Sequence, residues 1–165
     1  MKKRVADIIA DYFVENGLGQ VFSVVGGGAM YLNDALGNKA GLKVTYTHHE
    51  QAAAIAAEAY ARLAGKVAPV CVTTGPGGTN ALTGVLCGWQ DNIPMLIVSG
   101  QVRYATTVES TGLNLRQFGE QEYTIIPTVK PMTKYAVMVR EPQKILYFLQ
   151  KAFHIAMDGR RRPCW

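Results

Sequence analysis

Charged residues are scarce in this sequence, because they make up 18% of its 165 residues while hydrophobic residues make up 48%. Such a composition excludes a disordered chain and allows a single domain with a sizeable core. No apolar run approaches the roughly 20 residues that cross a bilayer, and Asp7 and Asp11 interrupt the N-terminal segment. We therefore expect a cytoplasmic protein without a membrane span or signal peptide.

Cysteine is rare as well, and the three cysteines, Cys71, Cys87 and Cys164, have no metal-ligand spacing. Cys71 and Cys87 lie in apolar segments and are predicted to be core thiols. His48 and His49 lack a third ligand, so no metal site is predicted in this chain. The net charge of +5 lies partly in short clusters at the two ends, without a basic face interleaved with aromatics, and nucleic-acid binding is not expected.

Apolar periodicity predicts short strands that alternate with helices. Helices are predicted over 5–16, 30–36, 50–63, 81–88 and 142–157, and strands over 21–25, 43–46, 68–74, 94–98 and 135–139. Residues 100–120 lack periodicity and form a long loop, of the kind that is often functional. The alternation predicts an α/β fold, a three-layer α/β/α arrangement in which a mostly parallel sheet is covered on both faces.

In such folds ligands bind beyond the carboxyl ends of the strands, which directs attention to residues 26–28, 48–50 and 75–80. All three segments should open on the same edge of the sheet. Gly26, Gly27 and Gly28 would let backbone amides approach a ligand, but they do not match the dinucleotide fingerprint, and a tight turn explains them equally. Residues 75–80 resemble a phosphate cradle at a helix start but lack the lysine of a P-loop, so an anion site and a plain turn both stay open.

Glu50 is more informative, since it begins an alanine-rich helix directly after a strand. A carboxylate in the first turn complements the helix dipole, and that explanation would suffice for the residue alone. It does not explain a carboxylate that enters a packed junction beside two further ligand-type loops. Glu58 and Arg62, four residues apart on the same helix, are predicted to form a surface ion pair.

Four motifs occur together in the order and spacing of one family. They are HEQAA at 49–53 with AEAYAR at 57–62, TGPGGTN at 74–80 with TG at 83–84, DNIP at 91–94 with SGQ at 99–101, and QE at 121–122 with KPMTK at 130–134. Over nearly its whole length the chain resembles the N-terminal pyrimidine-binding (PYR) domain of thiamine-diphosphate-dependent enzymes related to acetolactate synthase.

The resemblance implies roles for particular residues. Glu50 would hydrogen-bond a ring nitrogen of the cofactor's aminopyrimidine and so promote removal of the thiazolium C2 proton. Gln121 would lie on the substrate side as a second catalytic residue that orients the reactant. The residues implied around the cofactor are Glu50, Gly26, Gly27, Gly28, Thr74, Gly75, Pro76 and Asn80.

The resemblance also implies a larger assembly. Residues 1–165 would form one domain, the first of three, with the central and diphosphate-binding domains outside this chain and residues 159–165 leading into the closing strand. Magnesium (Mg2+) and the diphosphate would be bound by that other domain of a partner subunit. The active site would thus lie between chains of a homodimer or homotetramer that decarboxylates or joins 2-oxo acids such as pyruvate. A flavin such as FAD is compatible with the family, although nothing in the sequence indicates one.

Three positions depart from the family pattern near the substrate. Val25 stands where the family has proline, Gly28 where it has alanine, and Glu120 where it has phenylalanine. The resemblance therefore supports activation of the cofactor more directly than it identifies the substrate. Two other functions stay open: a non-catalytic interaction or regulatory module that pairs with a separate diphosphate-binding chain, and a nucleotide-binding doubly wound domain.

Overall fold

Four short parallel strands form the central sheet of the computed structural model, which describes residues 2–165. The strands are β1 (Gln20–Ser23), β2 (Lys43–Tyr46), β3 (Ala68–Val72) and β4 (Met95–Ser99). Their order in the sheet is β2-β1-β3-β4, and every pairing is parallel. The sheet therefore reverses its direction of growth between β1 and β3, which is where ligands bind in folds of this kind.

Helices connect the strands and cover the sheet. They are α1 (Val5–Glu15), α2 (Met30–Gly37), α3 (Glu50–Ala64), α4 (Pro76–Asn80), α5 (Leu82–Gln90), α6 (Val108–Thr111), α7 (Ile126–Val129) and α8 (Ile145–Met157). Helix α3 ends at Gly65, whose φ of 65° is the left-handed conformation that commonly terminates a helix. Within residues 2–165 no helix is long and apolar enough to span a membrane.

Two hydrophobic clusters lie on opposite faces of the sheet. Because successive side chains of a strand point to opposite faces, Val21 packs with α1, α2 and α8, whereas Phe22 packs with α3 and α5. Phe13 of α1 is fully buried in the first cluster, and Ala53, Ala54, Ala57 and Ala61 let α3 pack closely on the second. The predicted three-layer α/β/α arrangement is confirmed.

The strand predicted over 135–139 is wrong, since the segment forms only an isolated bridge at Tyr135. Its partner is the segment 163–165, which runs between β4 and Tyr135. Cys164 donates its backbone N–H to the carbonyl of Met95 at 2.9 Å, and Trp165 donates to the carbonyl of Tyr135 at 2.8 Å. Residues 159–165 do lead into the sheet, because Cys164 forms parallel bridges with both Leu96 and Tyr135.

The predictions about the thiols and the ion pair have mixed outcomes. Cys71 is buried, and this burial raises the pKa of its thiol to about 12. Cys87 is exposed, because α5 buries the face that carries Gly84, Val85 and Gly88. Arg62 does bind Glu58, and it binds Asp91 as well, but Glu58 is 8% exposed and therefore not a surface residue.

Candidate functional site

The loops that follow β1 and β3 meet at the carboxyl edge of the sheet. A Cβ at Gly26 would lie 2.5 Å from the Cβ of Thr73, and one at Gly28 would lie 2.9 Å from Cγ2 of Thr74. Both glycines are thus required by the close approach of the two loops, whereas Gly27 faces open space. The sequence did not point to Thr73, whose Oγ1 is buried without a hydrogen-bond partner among residues 2–165.

Glu50 begins α3 at the same edge, after the extended residue His49. Its Oε2 accepts a hydrogen bond from Nδ2 of Asn80 at 2.7 Å, and the same nitrogen lies 3.3 Å from Nε2 of His49. Oε1 lies over Gly77, where an added Cβ would come within 3.3 Å of it. The described hydrogen bonds of residues 2–165 include no donor to Oε1. The half-buried carboxylate therefore has one paired oxygen and one free oxygen.

Gly75 brings a distant segment of the chain to this edge. Its φ of 56° and ψ of −119° are closed to ordinary side chains, and a Cβ here would overlap the carbonyl oxygen of Gln121. Gln121 itself has a positive φ of 56° and an exposed side chain. Pro76, the first residue of α4, is also exposed. Gln121 thus reaches the site through its backbone, at the point where α4 begins.

A hydrogen-bonded chain holds the segment after β4 against β3. Thr74 Oγ1 donates to Oε1 of Gln101, whose Nε2 donates to the carbonyl of Tyr123 at 3.0 Å. Gln101 belongs to the SGQ motif, but no pattern in the sequence predicted its contact with Thr74. These bonds tie both ends of the irregular segment to the candidate site.

Glu122 organises the interior of that segment. Its Oε1 accepts the backbone N–H of Val108 at 2.7 Å, and its Oε2 accepts those of Phe118 and Gly119, each at 3.1 Å. Burial opposes ionisation of this carboxyl, yet the three backbone donors hold the pKa of Glu122 below its ordinary value. The QE motif therefore carries a structural acid next to Gln121.

A mainly apolar cavity of about 350 Å³ adjoins the edge, and Thr73, Thr74, Gly75, Gln101 and Tyr123 contribute to its lining. Among residues 2–165 no three His, Cys, Asp or Glu side chains are grouped so that they could hold a metal ion. The three segments singled out in the sequence, 26–28, 48–50 and 75–80, do open on one edge. The polar groups available there are the Glu50 carboxylate, the Asn80 amide and the threonine hydroxyls.

Comparison with known proteins identifies relatives of the chain. It is 36% identical over 158 residues to the acetolactate synthase large subunit of Haemophilus influenzae, and 35% identical over 158 residues to the acetolactate synthase isozyme 3 large subunit of Escherichia coli. Both alignments cover 96% of this chain and 26% of the relative. It is also 30% identical over 164 residues to the chloroplastic acetolactate synthase of Arabidopsis thaliana, with 98% of this chain and 23% of that protein covered.

The chain thus spans about a quarter of the length of these curated relatives. A family model described as thiamine pyrophosphate enzyme, N-terminal TPP binding domain, matches residues 3–123. That range contains β1 to β4 and the whole Glu50–Asn80 edge of the sheet. On this match, and on the parallel α/β fold that carries it, the chain belongs to the family of N-terminal TPP-binding domains of thiamine pyrophosphate enzymes.

Proposed function

We propose that this domain binds the aminopyrimidine of thiamine diphosphate and that Glu50 activates the cofactor in an enzyme of the acetolactate synthase type. The observation that carries the proposal is the Glu50 carboxylate at the carboxyl edge of the sheet. One of its oxygens is held by Asn80 and the other has no described donor. A carboxylate fixed in this way can accept, hold and return a proton at a ring nitrogen placed against its free oxygen.

The residues around Glu50 fit a flat heterocycle. Gly75 and Gly77 present only backbone atoms, at positions where a side chain would overlap its neighbours. The surface beside the carboxylate is therefore flat. Gly26, Gly27 and Gly28 would border the ring from the β1 side, and Thr74, Pro76 and Asn80 from the β3 side. When bound, the cofactor supplies an electron sink for decarboxylation and carboligation of 2-oxo acids.

Gln121 is proposed to orient the reactant. Its side chain is exposed at the same edge, and its backbone is fixed by contact with Gly75. Pyruvate is the first candidate substrate, because the curated relatives are acetolactate synthases. Val25, Gly28 and Glu120, which depart from the family pattern, are where a different 2-oxo acid would be recognised.

The remaining parts of the enzyme are proposed to lie outside residues 1–165. The relatives are about four times as long as this chain, and within residues 2–165 no lysine or arginine forms an ion pair with Glu50. The diphosphate and Mg2+ are therefore assigned to another domain, contributed by a partner subunit in a homodimer or homotetramer. Thiamine diphosphate would then be held between two chains.

The isolated 165-residue chain should bind thiamine diphosphate weakly, with a Kd above about 100 µM by titration calorimetry in the presence of Mg2+. The pyrimidine contacts alone are few, and the diphosphate is assigned to another domain. Thiamine without its diphosphate is the matched control and should bind about equally. Nanomolar binding of the diphosphate form would contradict the division of the site between domains.

The complete enzyme, meaning this domain together with the diphosphate-binding domain, should exchange the C2 proton of thiamine diphosphate far faster than free cofactor does. A rate increase of about 10²–10⁴-fold is the usual contribution of a positioned acid or base. Quenched deuterium exchange followed by proton NMR measures it. Exchange no faster than in free cofactor would instead favour the interaction-module function.

A further inference from the structure

Asn80 is proposed to border the pyrimidine ring of the cofactor, but that role does not require its hydrogen bond to Glu50. Its Nδ2 lies 2.7 Å from Oε2 of Glu50 and 3.3 Å from Nε2 of His49. An amide nitrogen carries two hydrogens, so one can be donated to the carboxylate and the other to the imidazole when that ring nitrogen is unprotonated. The amide is therefore held from two sides, by consecutive residues of the junction between β2 and α3.

The position of Asn80 in the chain makes this contact rigid. Asn80 is the last residue of α4, a helix whose start is fixed by the contact of Gly75 with Gln121. Glu50 is the first residue of α3, so the hydrogen bond joins two helix ends that are 30 residues apart. The bond therefore restrains the rotation of the glutamate side chain before any ligand arrives.

The chemistry of an amide suits a carboxylate that must gain and lose a proton. A lysine or arginine at this position would favour the ionised carboxylate strongly and resist protonation. A neutral amide N–H orients the carboxylate without adding charge, and the amide does not itself ionise near neutral pH. Its bond to Oε2 also leaves Oε1, which lies over Gly77, without a described donor.

We infer that Asn80 is a positioning residue: it anchors Oε2 of Glu50 so that Oε1 is presented to the ring nitrogen of the aminopyrimidine. This inference rests on the proposed role of Glu50 and deepens it. Asn80 then acts on the reaction through Glu50, and its own contact with the ring adds little affinity compared with the diphosphate, which is assigned to another domain.

The first test measures C2 proton exchange in the complete enzyme. Asn80→Ala should slow exchange by about 10–100-fold, as expected for loss of a hydrogen bond to a charged group, while the Kd for thiamine diphosphate stays within about threefold. Asn80→Asp keeps the shape but places a second carboxylate against Glu50, so it should be slowed at least as much at neutral pH. An Asn80→Ala enzyme that exchanges within about threefold of wild type would overturn the inference.

The pH profile separates positioning from a structural role. In Asn80→Asp the introduced carboxyl becomes a hydrogen-bond donor when it is protonated. Its rate relative to wild type should therefore rise as the pH is lowered from about 8 to about 5. If the exchange rate of Asn80→Asp were lower than that of wild type by the same factor at every pH, the cause would be structural damage, and the result would count against positioning. The matched control is Asn38→Asp, since Nδ2 of Asn38 also bonds a carboxylate, that of Asp34 at 3.0 Å, far from the site; its exchange rate should stay at the wild-type value.

A second measurement needs neither cofactor nor a variant of Asn80. In the 165-residue chain labelled with ¹⁵N, Glu50→Gln should shift the side-chain amide signals of Asn80 and leave those of Asn38 unchanged. Unshifted Asn80 signals would overturn the contact itself. If the Asn80 signals shift but Glu50→Gln leaves C2 exchange fast, the proposed function fails and the contact stands. If Glu50→Gln abolishes exchange and the Asn80 variants do not alter it, the positioning inference alone fails.

Discussion

Glutamine in place of Glu50 should slow C2 proton exchange in the complete enzyme by about 1,000-fold or more, near the upper range for loss of an acid–base group. The substitution keeps the length of the side chain, and the new carbonyl oxygen can still accept the N–H of Asn80. It removes the ability to hold a proton at the free oxygen, which is the property that the proposed mechanism uses. Quenched deuterium exchange of the bound cofactor is the measurement, with turnover of pyruvate as a second readout.

Glu58→Gln is the matched control for this result, since Glu58 lies on the same helix and binds Arg62 away from the site. It should lower stability somewhat while leaving exchange within about threefold of wild type. The affinity for thiamine diphosphate should change little in either variant, because the diphosphate is assigned to another domain. A Glu50→Gln enzyme with a near-normal exchange rate would remove Glu50 from the mechanism.

Among substitutions of a glycine by alanine at the candidate site, Gly75→Ala should lower the stability of the domain most. The backbone of Gly75, with φ of 56° and ψ of −119°, is strained for any side chain, and the new Cβ would overlap the carbonyl oxygen of Gln121. Backbone atoms cannot rotate away as a side chain can. We expect the free energy of unfolding to fall by about 3 kcal/mol or more, measured by urea denaturation of the 165-residue chain.

Gly65→Ala is the reference for a positive φ without a steric contact. Gly65 also has a positive φ, 65°, but nothing lies within 4 Å of a Cβ added there. Its replacement should therefore lower the free energy of unfolding by about 1–2 kcal/mol, the cost of the left-handed conformation alone. The excess loss in Gly75→Ala reports the contact with Gln121 together with the less favourable ψ of −119° at Gly75. Equal losses in the two variants would mean that the segment around Gln121 moves aside freely.

Local signals in the sequence predicted most of the fold. The helix predicted over 50–63 is found at Glu50–Ala64, because an alanine-rich run and a following glycine both act within a few residues. The strand predicted over 43–46 is found with the same bounds. The strand over 135–139 was wrong, since only Tyr135 forms a bridge, and its partner Cys164 lies far along the chain. The pattern of residues within 135–139 does not indicate which distant segment they pair with.

The sequence predicted which segments meet at the candidate site, but it did not predict the contacts between their side chains. The rule for parallel sheets brought Glu50 and residues 75–80 to one edge, and the bond from Asn80 to Glu50 confirms their proximity. The link from Thr74 to Gln101 depends on how the irregular segment after β4 folds back, which composition and periodicity do not determine. The burial of Glu58 and the exposure of Cys87 likewise depend on which faces of α3 and α5 meet.

The position of residues 163–165 has a consequence for folding during synthesis. β4 and Tyr135 leave the ribosome well before Trp165, yet the sheet edge beyond β4 is completed only when Cys164 and Trp165 pair with Met95 and Tyr135. In the interval, the nascent chain displays an unpaired strand edge next to apolar side chains, a surface prone to mispairing with other chains. The need for chaperones should therefore be greatest in the interval after most of this domain has emerged and before residues 163–165 have.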